Sequence, residues 1–323
     1  MNMKPLFIFS LPRAGSTLLQ RLLMTHANIS SASEPWLLLP LVYMQKKDGV
    51  LSTYSHSVCY DAIEDLIESM QGGRQAYDYL MSRFVLGVYE QIAQKGAQYF
   101  LDKTPRYYLI IPEIARLFPD AKFIFLFRNP ADVFASVVTT WGGGGFERLW
   151  VNWMDLESGP GRLAEGYELL KDRACVVHYE NLVSDPELCL RGVFNYLELE
   201  FDPTILSNFI PKAPQGRMGD PTGVTRYRGL SGESVENWKN VFNRTFRKRV
   251  LLDYIRGLPE HVLATHGYSK SALLDAISAH RTSGGVGQAA DYMFYMKSKI
   301  IRATHGNLFL GAPARWARNM YVS

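Results

Sequence analysis

Pro5-Leu-Phe-Ile-Phe-Ser10, then Leu11-Pro-Arg13-Ala-Gly15-Ser-Thr17, then Leu18-Leu-Gln-Arg-Leu-Leu23 is the stretch that decides the fold. A continuous apolar run rich in Phe and Ile reads as a strand covered on both faces. The glycine-containing turn leads into leucines at 18, 19, 22 and 23, which is the spacing of one helix face. The same order recurs three times. Gln98–Leu101 precedes a helix predicted over about 107–117, and Cys175–Tyr179 precedes Pro186–Leu197. Ala121–Phe127 precedes Pro130–Thr140, where proline suits the first helical turn. Strands alternating with helices predict an α/β fold with a P-loop-like central parallel sheet flanked by helices. Right-handed crossovers then bring every strand-to-helix turn to one edge of the sheet, where ligands bind.

Outward from that stretch, composition sets the frame. With 323 residues, 47% hydrophobic and 20% charged, the chain can bury one large core or two modest ones, which excludes a disordered, collagen-like or disulfide-stapled protein. A net charge of +4 is too balanced for a dedicated nucleic-acid binder. Helical stretches are predicted over about 60–94 and 147–171. The glycines 142–145 and the Gly/Pro-rich segment 211–232 read as mobile, the second as a functional loop by its length.

The pattern weakens after Gly267. A catalytic domain over 1–269 and a basic helical extension over 270–323 are the expected division. The extension carries Lys270, Arg281, Lys297, Lys299, Arg302, Arg315 and Arg318 against Asp275 and Asp291. Residues 289–303 suit an amphipathic helix that either packs on its own domain or meets a membrane surface or a second copy. Cys59, Cys175 and Cys189 form no metal-ligand spacing and suit a reducing compartment. The N-terminal apolar run is too short for a signal segment, and no stretch approaches the ~20 apolar residues of a membrane span. A cytoplasmic location is expected.

The first turn suits an anion. Gly15 permits a sharp bend that aims successive N–H groups at one point, Ser16 and Thr17 add hydroxyls, and the next helix begins there. Arg13 adds a forked cation matched to phosphate or sulfate oxygens. The Walker A string GxxxxGK[ST] is absent, so the turn reads as an anion cradle that works without a metal. Phe123-Ile-Phe-Leu-Phe-Arg128-Asn-Pro-Ala-Asp132-Val-Phe-Ala-Ser136 offers a second cradle. Arg128 stands at the end of its predicted strand and Ser136 two helical turns further on. Two anion sites on neighbouring turns suggest a nucleotide phosphorylated at two places.

Together these strings resemble the sulfotransferase superfamily, which uses 3′-phosphoadenosine-5′-phosphosulfate (PAPS). PRAGSTLLQRLL, DKTP at 102–105, FRNPADVFASV, HYENLVSDPE at 178–187 and RYRGLSGESVENWKN at 226–240 occur in family order. Arg13, where many cytosolic members have Lys, makes the chain look closer to the tyrosylprotein and bacterial carbohydrate-type branch. The resemblance implies that Arg13, Ala14, Gly15, Ser16 and Thr17 bind the 5′-phosphosulfate. It likewise implies Arg128 and Ser136 at the 3′-phosphate, Tyr179 near the adenine, and Arg228 and Gly229 closing over the 3′-phosphate.

Sulfuryl transfer needs a base for the acceptor proton and a cation for the departing phosphate. Glu34 is the candidate base: Pro35 holds it out of a helix, beside Trp36 and Leu37–Leu39. In the resembling branch a Glu at this position is the base, and a Lys at the position of Lys103 assists the leaving group. His26 and His56 are alternative bases, and no ligand cluster for a metal is seen. The acceptor would be a hydroxyl on a small molecule, lipid-linked group or carbohydrate, with Trp36, Tyr43, Tyr54, Tyr60, Trp141 and Trp150 as candidate walls. An atypical P-loop kinase and a non-catalytic nucleotide-binding assembly protein are the competing readings.

Overall fold

The computed structural model describes residues 3–209, 231–283 and 288–304. The chain divides into two compact units, Met1–Val50 with Ser55–Arg128 and Arg162–Gly232, and Leu51–Tyr54 with Asn129–Gly161 and Glu233–Ser323.

The first unit holds a five-stranded parallel sheet in the order β2-β3-β1-β4-β5. The strands are β1 (Lys4–Ser10), β2 (Ile29–Ser31), β3 (Tyr99–Asp102), β4 (Lys122–Phe127) and β5 (Ala174–His178). β1 runs down the middle because every residue from Pro5 to Ser10 is buried and can face covering layers on both sides. Phe7 pairs with Phe123 and Phe9 with Phe125, so each pair shares one face; the ring centroids lie 6.1 and 5.2 Å apart. Such pairs contribute packing beyond the area that they bury.

Helix α1 (Ser16–Leu23) lies against the sheet through Leu18, Leu19, Leu22 and Leu23. Its other side is buried too. Gln20 donates from Nε2 to Ser31 Oγ and to the Ala32 carbonyl, which ties the helix to the chain leaving β2. The rest of the unit's early part is helical: α2 (Leu38–Tyr43), α3 (His56–Ser69) and α4 (Gly73–Ile92). The predicted 60–94 stretch is thus two helices, broken where Gly72 and Gly73 take positive φ of 92° and 51°. The predicted 107–117 helix is a 3-10 turn at Tyr107–Leu109 followed by α5 (Ile111–Leu117), with Pro112 in the first turn.

The second unit begins with α6 (Pro130–Thr140), where the Asn129 side chain accepts the Ala131 N–H at 2.9 Å. Asp132, on its first turn, accepts the N–H of Glu236 at 2.8 Å and of Trp238 at 3.0 Å. The glycines 142–145, expected to be mobile, form a hydrogen-bonded stop to this helix. Gly142 N–H reaches the Val137 carbonyl and Gly144 N–H the Val138 carbonyl, and a Cβ at Gly142 would lie 2.2 Å from the Gly145 oxygen. Most of 211–232 lies outside the described residues.

Later in this unit, α7 (Thr245–Gly257) and α8 (Gln288–Ala303) are joined by a two-pronged ion pair. Arg247 Nε and Nη2 donate to the two Asp291 oxygens at 2.6 and 2.7 Å, and Tyr295 packs against Phe146, Trp153 and Phe246. The predicted amphipathic helix therefore packs one face within its own unit and leaves Tyr292, Met293, Met296 and Ile300 exposed. No helix among the described residues is long and apolar enough to cross a membrane.

Candidate functional site

In the first unit the turn after β1 adopts the bend its sequence requires. Arg13 and Gly15 both take positive φ, 70° and 98°, and the Ala14 N–H returns to the Leu11 carbonyl at 3.2 Å. Left-handed residues at alternate positions curl the main chain so that its N–H groups converge. α1 starts at Ser16, so its unpaired N–H groups and its positive dipole end lie at the same point. Glycine is obligatory at 15 for a second reason. A Cβ there would lie 2.3 Å from Cδ2 of Tyr179.

Arg128 follows β4, which neighbours β1, and is buried to 6% exposure. Its Nη1 donates to the Arg13 carbonyl at 2.9 Å, and its guanidinium lies 4.3 Å from the centre of the Tyr179 ring. The second cradle's cation is thereby fastened to the first cradle's backbone. Tyr179, expected beside the adenine, is a buried ring packed against Gly15 and stacked with Arg128. Ser136 is half-buried on α6 in the second unit. Arg228 and Gly229 lie outside the described residues.

Lys103 immediately follows β3, on the other side of β1. It is 1% exposed, and its Nζ donates to Glu34 Oε1 at 2.8 Å and to Thr17 Oγ1 at 3.3 Å. Candidate base, candidate leaving-group cation and candidate anion turn are therefore in hydrogen-bond contact although 17, 34 and 103 are far apart in sequence. The Glu34 carboxylate is held from its other oxygen by the Trp36 indole N–H at 3.2 Å. The ammonium neutralises the carboxylate within a largely buried pair, where the attraction is stronger than in water.

Beneath them sits Asp102, fully buried. Burial pushes its carboxyl up to about 6, although the hydroxyls of Tyr89, Tyr107 and Thr104 and the nearby Lys103 charge all pull it down. The sequence reading gave this residue no role in the site. Its partners come from a helix, a turn and a loop with no periodic relation, and only its place in the DKTP string marked it.

The alternative bases have structural work. His26 Nδ1 accepts the Asn28 N–H at 3.1 Å and its ring packs on Phe194. His56 is buried, with Nε2 2.8 Å from the Lys46 carbonyl. Among the described residues, no group of three or more His, Cys, Asp and Glu side chains is placed to hold a metal ion.

The chain is similar in sequence and in fold to known proteins. Nodulation protein NoeE of Sinorhizobium fredii is 33% identical over 138 residues, covering 42% of this chain and 31% of its own. Protein-tyrosine sulfotransferase 2 of Gallus gallus is 23% identical over 235 residues, covering 69% and 57%. The chain thus spans less than two thirds of the length of either. A solved sulfotransferase domain from the curacin biosynthetic pathway superposes with a TM-score of 0.50 at 19% identity, covering 88% of this chain and 99% of that one, which agrees in fold. The profile of the Sulfotransferase family matches residues 5–203, from β1 past the last strand. The chain belongs to the Sulfotransferase family.

Proposed function

We propose that the protein is a sulfotransferase that moves a sulfuryl group from PAPS to a hydroxyl acceptor, with Glu34 as general base and Lys103 as the leaving-group cation. The observation that carries this reading is the contact of Lys103 with both Glu34 and Thr17 at the start of α1. It joins a proton acceptor and a cation to an anion cradle.

The residues present fit the donor. The left-handed bend at Arg13 and Gly15, the first N–H groups of α1 and the hydroxyls of Ser16 and Thr17 would hold its 5′ end. Arg128 would hold the 3′-phosphate, with Ser136, Arg228 and Gly229 assigned to it by resemblance. When bound, PAPS supplies a sulfuryl group whose bond to the phosphate oxygen is the one that breaks. Glu34 takes the acceptor hydroxyl's proton as that oxygen bonds to sulfur. Lys103 Nζ and Arg13 stabilise the charge left on the departing phosphate, the larger share of such catalysis. Tyr179 keeps Arg128 in place from beneath. The branch of relatives named above supports a hydroxyl acceptor, on a phenol or a sugar.

Calorimetric titration tests the donor assignment. Arg128→Ala should weaken adenosine 3′,5′-bisphosphate by about 1.5–3 kcal/mol, the range for a charge-assisted hydrogen bond, and adenosine 5′-phosphate much less. Equal weakening of both removes Arg128 from the 3′-phosphate site. Screening hydroxyl acceptors with labelled PAPS then identifies the second substrate.

A further inference from the structure

Trp36 is held in a way that packing does not explain. Its φ is +55°, a left-handed conformation that is costly for a bulky residue, yet the side chain is only half-buried. Two hydrogen bonds fix it there. Its backbone N–H donates to Thr104 Oγ1 at 3.2 Å, and its indole N–H donates to Glu34 Oε2 at 3.2 Å. The Thr104 hydroxyl in turn donates to Asp102 Oδ1 at 3.1 Å.

The other carboxylate oxygen of Asp102 is equally engaged. Tyr89 donates to Oδ2 at 2.6 Å and Tyr107 at 2.8 Å, and the Tyr107 oxygen accepts the Leu38 N–H at 3.3 Å. One buried carboxylate thus fixes two N–H groups, those of Trp36 and Leu38, just beyond Glu34. Thr104, Tyr107 and Asp102 are all buried, so this frame is fixed by its surroundings.

We propose that Trp36 and Thr104 are positioning residues for the Glu34 carboxylate, with Asp102 as the fixed post to which both are tied. The proposal rests on the reading of Glu34 as the base. Lys103 holds Oε1 and the indole holds Oε2, so the carboxylate plane is set from both ends. Removing the indole N–H frees the carboxylate to turn about Lys103. Removing the Thr104 hydroxyl releases the left-handed backbone that aims the indole.

The test uses the full chain and labelled PAPS with water as acceptor, reading release of inorganic sulfate. Trp36→Phe and Thr104→Val should each lower kcat by about 10- to 100-fold, the scale of a misplaced reacting group. KM for PAPS and the affinity for adenosine 3′,5′-bisphosphate should stay within about twofold, since neither residue touches the anion cradles. Thr104→Ser, which keeps the hydroxyl, should restore kcat. Unchanged kcat in both Trp36→Phe and Thr104→Val, beside a slow Glu34→Gln, overturns the positioning role while leaving the base in place. Wild-type turnover in Glu34→Gln overturns the base and this proposal with it. Should Thr104→Val not fold, Trp36→Phe alone decides, because it removes the indole N–H at a half-buried position where the smaller ring is tolerated.

Discussion

Substituting alanine at Gly15 perturbs the turn after β1 in two separable ways. At φ +98° an L-residue costs about 1–2 kcal/mol from the clash of its Cβ with the backbone. The new Cβ would also lie 2.3 Å from Cδ2 and 2.5 Å from Cε2 of Tyr179, far inside contact distance. That ring is 2% exposed and stacked with Arg128, so it cannot swing into solvent, and overpacking of this kind costs about 1–3 kcal/mol. Gly15→Ala should therefore lose about 2–5 kcal/mol of stability in urea melts. Affinity for adenosine 3′,5′-bisphosphate should fall as well, because the displaced ring carries Arg128 with it. The two contributions separate in a double-mutant cycle with Tyr179→Ala. In that background the overpacking is gone and Gly15→Ala should cost only the backbone share, a coupling of at least about 1 kcal/mol. Strictly additive costs, or a Gly15→Ala protein as stable as wild type, would refute the account of why glycine stands there.

Three further outcomes are expected. Glu34→Gln and Lys103→Ala should each lower turnover by at least ~100-fold, read with labelled PAPS, and Glu34→Gln should leave donor affinity nearly unchanged by calorimetry. The carboxyl of Asp102 titrates near 6 in the folded chain against about 3.9 unfolded. Between those values the native state binds more protons, so this group's contribution falls as pH rises from about 4 to 6 and stays low above that. The stability of Asp102→Asn relative to wild type should accordingly rise by up to about 3 kcal/mol over that window in urea titrations, and a flat difference would contradict it. Asp291→Ala should strand Arg247 without its buried partner and cost about 3–5 kcal/mol, seen as lost hydrogen-exchange protection in Gln288–Ala303.

The sheet was legible because its strands carry their own signal. PLFIFS and KFIFLF are apolar without interruption, and a chain can afford that only where both faces are covered. β2 carried no such signal: three residues with two serines become a strand only because β3 offers them a partner. Glu34 and Lys103 could be singled out as candidates one by one, through Pro35 and the DKTP string. Their contact was not, since nothing in local sequence encodes a meeting across 69 positions. The packing of Tyr179 on Gly15 was hidden for the same reason, and the glycine read only as a sharp bend. The helical content of 60–94 was legible, but the break at Gly72 and Gly73, where both residues take positive φ, was not.

The strand order has a metric consequence. Lys103 leaves β3 and Arg128 leaves β4, with β1 and its turn between them. Neighbouring strands lie roughly 4.8 Å apart, so the two cations are mounted on supports roughly 10 Å apart, a pitch dictated by main-chain hydrogen bonds. Side-chain replacement can change what each support grips, but it cannot change the pitch. Substitutions in the segments around the sheet therefore leave the gauge between the two cationic mounts intact.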